Sequence, residues 1–283
     1  MKRYQATSWA TAGLALLGSA AAWAGDSGSV LTPASSTKDN VIVLDGTLRD
    51  FRIDHPDMQN PSRRFGLVKN LVLPELDGDV GAGKPVLNTG IDFTAGMITG
   101  VDSFNQWFRD VEGVNKSISY SISLEPLEDQ PGVFFYARER QSSNVADRYF
   151  FPLDHMDPSL TWNDFQNVST GRHNFYFTYE LRTLFSYKAR ERREHPEQDL
   201  TFRFVGDDDV WVFINGKLAV DIGGVHGQAN GEVNLDQQAA ALGLEEDGVY
   251  ELVLFFAERN TTESNFRIET TLKLTTETEP LYD

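Results

Sequence analysis

One run of the chain limits its fold more than any other. In GDDDVWVFINGKLAVDIGGVHG, from Gly206 to Gly227, an unbroken apolar stretch, Val210 to Ile214, is followed by Asn215-Gly216 and then by Lys217 to Ile222. A short apolar run without alternation reads as a strand buried on both faces. Asn-Gly is the strongest short signal for a two-residue hairpin, because both positions accept the positive φ of a type I′ turn. The segment therefore predicts a buried β-hairpin. Asp207, Asp208 and Asp209 sit at the end of it opposite the turn. Three adjacent carboxylates beside a low-dielectric core repel one another and are costly to desolvate. A hard divalent cation would remove that cost, and Ca2+ is the natural candidate because it takes six to eight oxygen ligands in loose geometry.

The rest of the chain has the same grain. Short runs rich in Val, Ile, Phe and Tyr recur between Gly, Pro, Asn and Asp: Val41 to Leu44, Ser117 to Leu124, Gly132 to Ala137, Asn174 to Leu181, Leu200 to Val205, Tyr250 to Ala257 and Phe266 to Thr275. Many closely spaced strands with little helical period predict an all-β, antiparallel β-sandwich with short helical insertions. Two insertions are expected. One opens at Ser103 on a capping-box pattern, with Phe104, Trp107, Phe108 and Val111 on one face. The other runs from Asp236 to Leu242 and stops at Gly243. The charge-dense stretch 186–199 reads as a solvated excursion between strands, with a docking element as the alternative.

The first 24 residues have the parts of a secretory signal: Lys2 and Arg3, an apolar stretch from Ala12 to Ala22, and a small-x-small site ending at Ala24 before Gly25. Residues 25–39 read as a flexible lead-in and 40–283 as the folded domain. The expected location is the periplasm, the cell surface or the medium, with no membrane insertion. With 42 acidic against 25 basic residues, the net charge is −17. Such a balance argues against nucleic acid and anionic membranes, whose contacts need Lys and Arg. No cysteine is present, so thiol chemistry and disulfide scaffolds are excluded.

A second loop, Glu258 to Asn265, lies between two expected strands and offers Glu258, Asn260, Glu263 and Asn265 as oxygen ligands. Clustered Asp207 to Asp209 suit a shared cation better than the separated carboxylate pair of a glycosidase. Neither G-x-S-x-G nor H-E-x-x-H occurs, and a non-enzyme is expected.

From Asp45 to Leu274 the chain resembles a fibro-slime domain, a relative of the protective-antigen-type (PA-fourteen) β-sandwich of flocculin-type lectins. The matching stretches are Gly46 to Phe51, His55-Pro56-Asp57, Lys84-Pro85, Trp107-Phe108 with Val114-Asn115, Phe150 to Asp154, His173 to Thr178, GDDDVWVFINGKL and FFAERNTTESNFRIET. Met58 stands where the family usually has an aromatic, and 186–199 replaces a shorter connection. The resemblance implies a calcium-dependent, lectin-like or adhesin-like domain for a polysaccharide or cell-surface glycan. The alternative is a slime or extracellular-matrix component in which calcium only stiffens loops. It further implies that Asp207 and Asp208, joined by a cis peptide, are direct ligands. The second-loop ligands map onto Glu258 with carbonyls near Asn260 and Thr262, or shift to Asn265. Asp209 becomes a neighbour of the metal, and His226 takes a hydrogen-bonding or packing role.

Overall fold

The computed structural model describes residues 41–58, 66–79, 81–137, 149–169, 171–260 and 263–275. The expected signal, residues 1–24, and the lead-in, 25–39, lie outside them. Thirteen strands follow in order: β1 (Ile42–Phe51), β2 (Asn115–Pro126), β3 (Phe134–Ala137), β4 (Gln166–Val168), β5 (Gly171–His173), β6 (Phe177–Ser186), β7 (Thr201–Gly206), β8 (Asp209–Ile214), β9 (Lys217–Ile222), β10 (Ala229–Asn234), β11 (Val249–Glu258), β12 (Phe266–Thr270) and β13 (Leu274–Thr275). Hydrogen bonding orders them β10-β7-β12-β3-β2-β1-β6-β11-β8-β9, with β13 beside β6 and β4 paired to β5 apart. All of these pairings are antiparallel.

That path folds into two layers. β2 pairs with β1 along its length and passes only Glu125 and Pro126 to β3. Side chains from both layers then meet in one core: Leu48, Leu181, Val212, Leu254 and Phe256 from the first, Phe202, Phe204, Val233, Phe266 and Ile268 from the second. Phe150 stacks on Phe266 within it at 4.5 Å between centroids. This is the antiparallel β-sandwich the strand pattern predicts.

A second core covers the outer face of the first layer. Trp211, Phe213, Val253, Phe255 and Ala257 point outward there and are roofed by Leu71, Ile98, Phe104, Trp107 and Phe108. Strand periodicity accounts for the division, since successive side chains alternate faces. Val210, Val212 and Ile214 belong to the inner core, Trp211 and Phe213 to the outer. The hairpin after Ile214 turns at Asn215 (φ 51°) and Gly216 (φ 75°), the left-handed pair a type I′ turn requires.

The roof is held by a buried ion network as well as by apolar packing. Glu180 on β6 accepts from Lys84 Nζ at 2.5 Å, Arg182 Nε at 2.7 Å and Arg49 Nη1 at 3.0 Å. The segment carrying Lys84 is thereby pinned across β1 and β6.

The helical insertions differ in how well the sequence predicts them. α2 (Leu235–Leu242) is capped by the Asn234 side chain accepting from Gln237 N and ends at a left-handed Gly243. The other, α1 (Val101–Phe104), is a single turn that begins two residues before Ser103. The capping-box expectation fails because the Ser103 hydroxyl bonds back to the Gly100 carbonyl at 3.0 Å instead of capping a helix ahead of it. The charged excursion between β6 and β7 is tied down by Arg193, which grips Asp236 of α2 at 2.5 Å, and by Arg190, paired with Asp199 and Asp236. Among the described residues no helix is long and apolar enough to cross a membrane.

Candidate functional site

Three connections pass from one layer to the other at the same end of the sandwich. Asp207-Asp208 leads from β7 in the second layer to β8 in the first. Residues 223–228 return from β9 to β10, and residues 259–265 run from β11 to β12. The acidic run and the Glu258 loop thus share one rim, as two adjacent loops of a cation site must.

Side-chain parity sorts the carboxylates. Asp209 pairs across the sheet with Ala257 and shares the outward face of Trp211. There it meets Arg259 in a fully buried ion pair, Nη2 at 2.5 Å and Nε at 2.7 Å, and accepts from Gly224 N at 2.6 Å. Glu258 pairs with Phe177, an inner-core residue, and therefore lies on the opposite face from Arg259. Asp207, Asp208 and Glu258 are all buried. Among the described residues none of the three makes an ion pair.

Their hydrogen bonds are with amides. Asp208 accepts from Arg259 N at 2.8 Å and His226 N at 3.3 Å. Asp207 Oδ2 accepts from Asn265 Nδ2 at 2.6 Å and Asn265 N at 3.1 Å, while its Oδ1 has no partner among the described residues. Glu258 Oε1 accepts weakly from Asn260 N at 3.4 Å. Its Oε2 lacks a donor in hydrogen-bond geometry, although the Ser264 hydroxyl lies beside it.

The electrostatics follow. Burial pushes Asp208 up to about 7 against the pull of Arg259, with Asp209 and Asp207 adding to the rise. Burial likewise raises Asp207, eased by Asn265. Glu258 is raised well above the usual carboxylate range by burial and then by the charges of Asp208 and Asp207. A carboxylate raised on folding contributes stability below its unfolded pKa and loses it as pH rises through the folded value. In chelator, the melting temperature should therefore fall between about pH 5 and 8, read by scanning calorimetry. A rise over that window would contradict the placement of these groups.

The resemblance implies calcium, and the donors fit a hard cation: they are all oxygen, the buried Asp207 Oδ1 has no hydrogen-bond partner among the described residues, and none of the three acidic groups of the rim has an ion-pair partner among those residues. Among the described residues no three His, Asp or Glu side chains are grouped to hold a metal alone. Backbone carbonyls and neutral side-chain oxygens would have to complete the shell, as is usual for calcium.

The individual expectations divide. Asp207, Asp208 and Glu258 lie near enough for their charges to act on one another, but they are not grouped as three side chains that would hold a metal by themselves. Asn260 follows Glu258 and is half-buried, whereas Thr262 lies outside the described residues. Asn265 faces the rim but spends its amide on Asp207 and Glu263. His226 anchors Asp208 through its backbone, and its ring Nδ1 lies 2.7 Å from the Gly227 carbonyl oxygen. The Asp207–Asp208 peptide is not cis. The reversal of direction is taken up instead by Asp208 in the left-handed region, φ 51°, a conformation a short acidic side chain tolerates.

Two participants escape the sequence reading. Arg259 is one. Tyr176 is the other: a bulky residue at φ 67°, fully buried, its hydroxyl without a partner and pushed up to about 12 by burial and the charges of Glu258 and Asp164.

Comparison with known proteins places these features. Residues 199–282 match the family model described as the PA14 domain, a span covering both the acidic run and the Glu258 loop. Among curated proteins the chain is 35% identical over 242 residues to protein psiQ of Dictyostelium discoideum, covering 83% of this chain and 22% of that protein. It is 35% identical over 247 residues to protein psiR of the same organism, covering 86% and 22%. The chain thus spans about a fifth of the length of these relatives. Among solved structures it is similar to the PA14 domain of MpAFP antifreeze protein at 13% identity, covering 85% of this chain and 88% of that one with a TM-score of 0.29.

Proposed function

We propose that this chain, which carries a PA14 domain match over residues 199–282 and is similar to the psi proteins, is an exported, non-catalytic carbohydrate-binding domain that meets glycans through a loop-held calcium ion. PA14 domains often bind carbohydrate, and the rim described above is where this one would do so.

The observation that carries the reading is the uncompensated charge of the rim. Asp207, Asp208 and Glu258 are buried together while the nearest guanidinium, Arg259, is committed to Asp209. Such a set is satisfied either by protons or by a multivalent cation. Asp207, Asp208 and Glu258 would hold the ion, with neutral oxygens of the same loop, Asn260 among them, completing its shell. Calcium bound there would supply a Lewis-acidic centre able to coordinate sugar hydroxyls. The chain's own part is to present the carboxylates at a dry rim. The amides of Arg259, His226 and Asn265 fix their orientation.

A glycan array probed with and without chelator tests this. Hits that disappear with chelator are expected. Hits that survive it would remove calcium from recognition. An empty array, with calcium still stabilising the fold, would turn the reading toward a matrix component whose calcium only stiffens the rim. Release of reducing sugar from any bound glycan would overturn the non-catalytic assignment.

A further inference from the structure

Arg259 is among the largest side chains fully buried in the protein, and each nitrogen of its guanidinium has a hydrogen-bond partner. Its guanidinium reaches Asp209 through Nε and Nη2, the carbonyls of Asp57 and Met97 through Nη1 at 3.2 Å each, and the Gly96 carbonyl through Nη2 at 2.8 Å. It also lies over the Trp107 ring, 4.5 Å from the centroid. The three carbonyls and the ring all belong to the roof over the first layer. None belongs to the rim.

The roof end of this arrangement is itself anchored. Asp57 accepts from Trp107 Nε1 at 3.0 Å and Thr99 N at 2.8 Å, and takes the Thr99 hydroxyl as well. At the other end, the backbone N–H of Arg259 holds Asp208 Oδ2, and the residue before it is Glu258. A single residue therefore joins two oxygen donors of the rim to a rigid layer packed on the opposite face of the sheet.

We propose that Arg259 is the positioning residue of the cation site, a strut that fixes Asp208 and Glu258 by fastening their loop to the roof, with Asp209 as its counter-ion and not a metal ligand. The proposal rests on the calcium reading. A planar fork with five donors matches two carboxylate contacts and three carbonyls, which a lysine ammonium on a flexible stem does not. Residues that orient metal ligands typically cost ten- to a hundredfold in affinity when replaced.

The test compares calcium binding by calorimetry in the full chain with melting temperature in chelator, for the unmodified protein, Arg259→Lys, and the double variant Asp209→Asn with Arg259→Met. The double variant removes both charges of the buried pair, so its fold is expected to survive. A strut predicts at least about a tenfold rise in Kd for both variants, with the double variant's melting temperature recovered but its affinity not. A purely structural ion pair predicts that affinity returns with stability. Calcium binding by the unmodified protein with unchanged Kd in both variants would overturn the strut alone. No calcium binding by the unmodified protein would overturn the cation reading and, with it, any positioning role.

Discussion

Calcium at about a hundredfold excess over its Kd should raise the melting temperature of the purified protein by roughly 5–10 °C, and Asp208→Asn should abolish the rise. An ion that binds only the folded state at that excess contributes about 2.7 kcal/mol. One kcal/mol moves the transition of a domain this size by about 2–4 °C. In chelator the variant is expected to melt within a few degrees of the parent. Removing a buried carboxylate held at about 7 relieves the repulsion from Asp207 and Glu258, while one of its two backbone N–H bonds is lost because an amide NH2 cannot accept. The two effects oppose each other. The signature is therefore a variant as stable as the parent without calcium and indifferent to calcium when it is added. Melting curves taken with calcium and with chelator check it, and an undiminished calcium shift in Asp208→Asn would remove Asp208 from the site.

Arg259→Met alone should destabilise the fold by about 3–5 kcal/mol, the usual consequence of stripping one partner from a buried ion pair. Asp209 would be left fully buried without its cation, and three roof carbonyls would lose their donor. Adding Asp209→Asn should recover most of that loss, because an amide oxygen still accepts from Gly224 N and no unpaired charge remains. Urea denaturation of the single and double variants measures the difference. If the single variant proved no weaker than the double, Asp209 would not depend on Arg259, and the sorting of carboxylates between the two faces would be wrong.

That sorting was legible before any coordinates. Counting alternately back along β8 puts Asp209 with Trp211 and Phe213, and counting forward along β11 puts Arg259 with Phe255 and Ala257. Antiparallel pairing then brings Asp209 and Arg259 to one face, so the most informative partner in the cluster could have been found by parity. It was missed because a lone arginine in a polar loop reads as solvated. The hairpin, α2 and the pairing of the two rim loops were likewise carried by local signals: Asn215-Gly216, Asn234 with Gly243, and strand runs interrupted by polar oxygens.

What stayed hidden is non-local. Whether Asp207-Asp208 is a turn within one sheet or a passage between two depends on β7 pairing with β12 and β10, and β8 with β11. Those registers join residues 23 (Gly206 with Ala229) to 68 (Phe202 with Thr270) positions apart in chain order. The short α1 failed for a local reason, since the Gly100 carbonyl captures the Ser103 hydroxyl. The cis peptide was carried over from resemblance, and the left-handed Asp208 shows a second way to reverse the chain at that point.

A cation at the inter-layer rim is what joins Asp207, Asp208 and Glu258 to glycan binding. Its most direct test is a crystal structure of the protein grown in calcium, with the ion located by anomalous scattering from a terbium replacement. One peak is expected within about 2.3–2.6 Å of oxygens from Asp207, Asp208 and Glu258, with the Asp209 carboxylate still on Arg259. A rim without a peak, or a peak bound by Asp209 with Arg259 displaced, would contradict it.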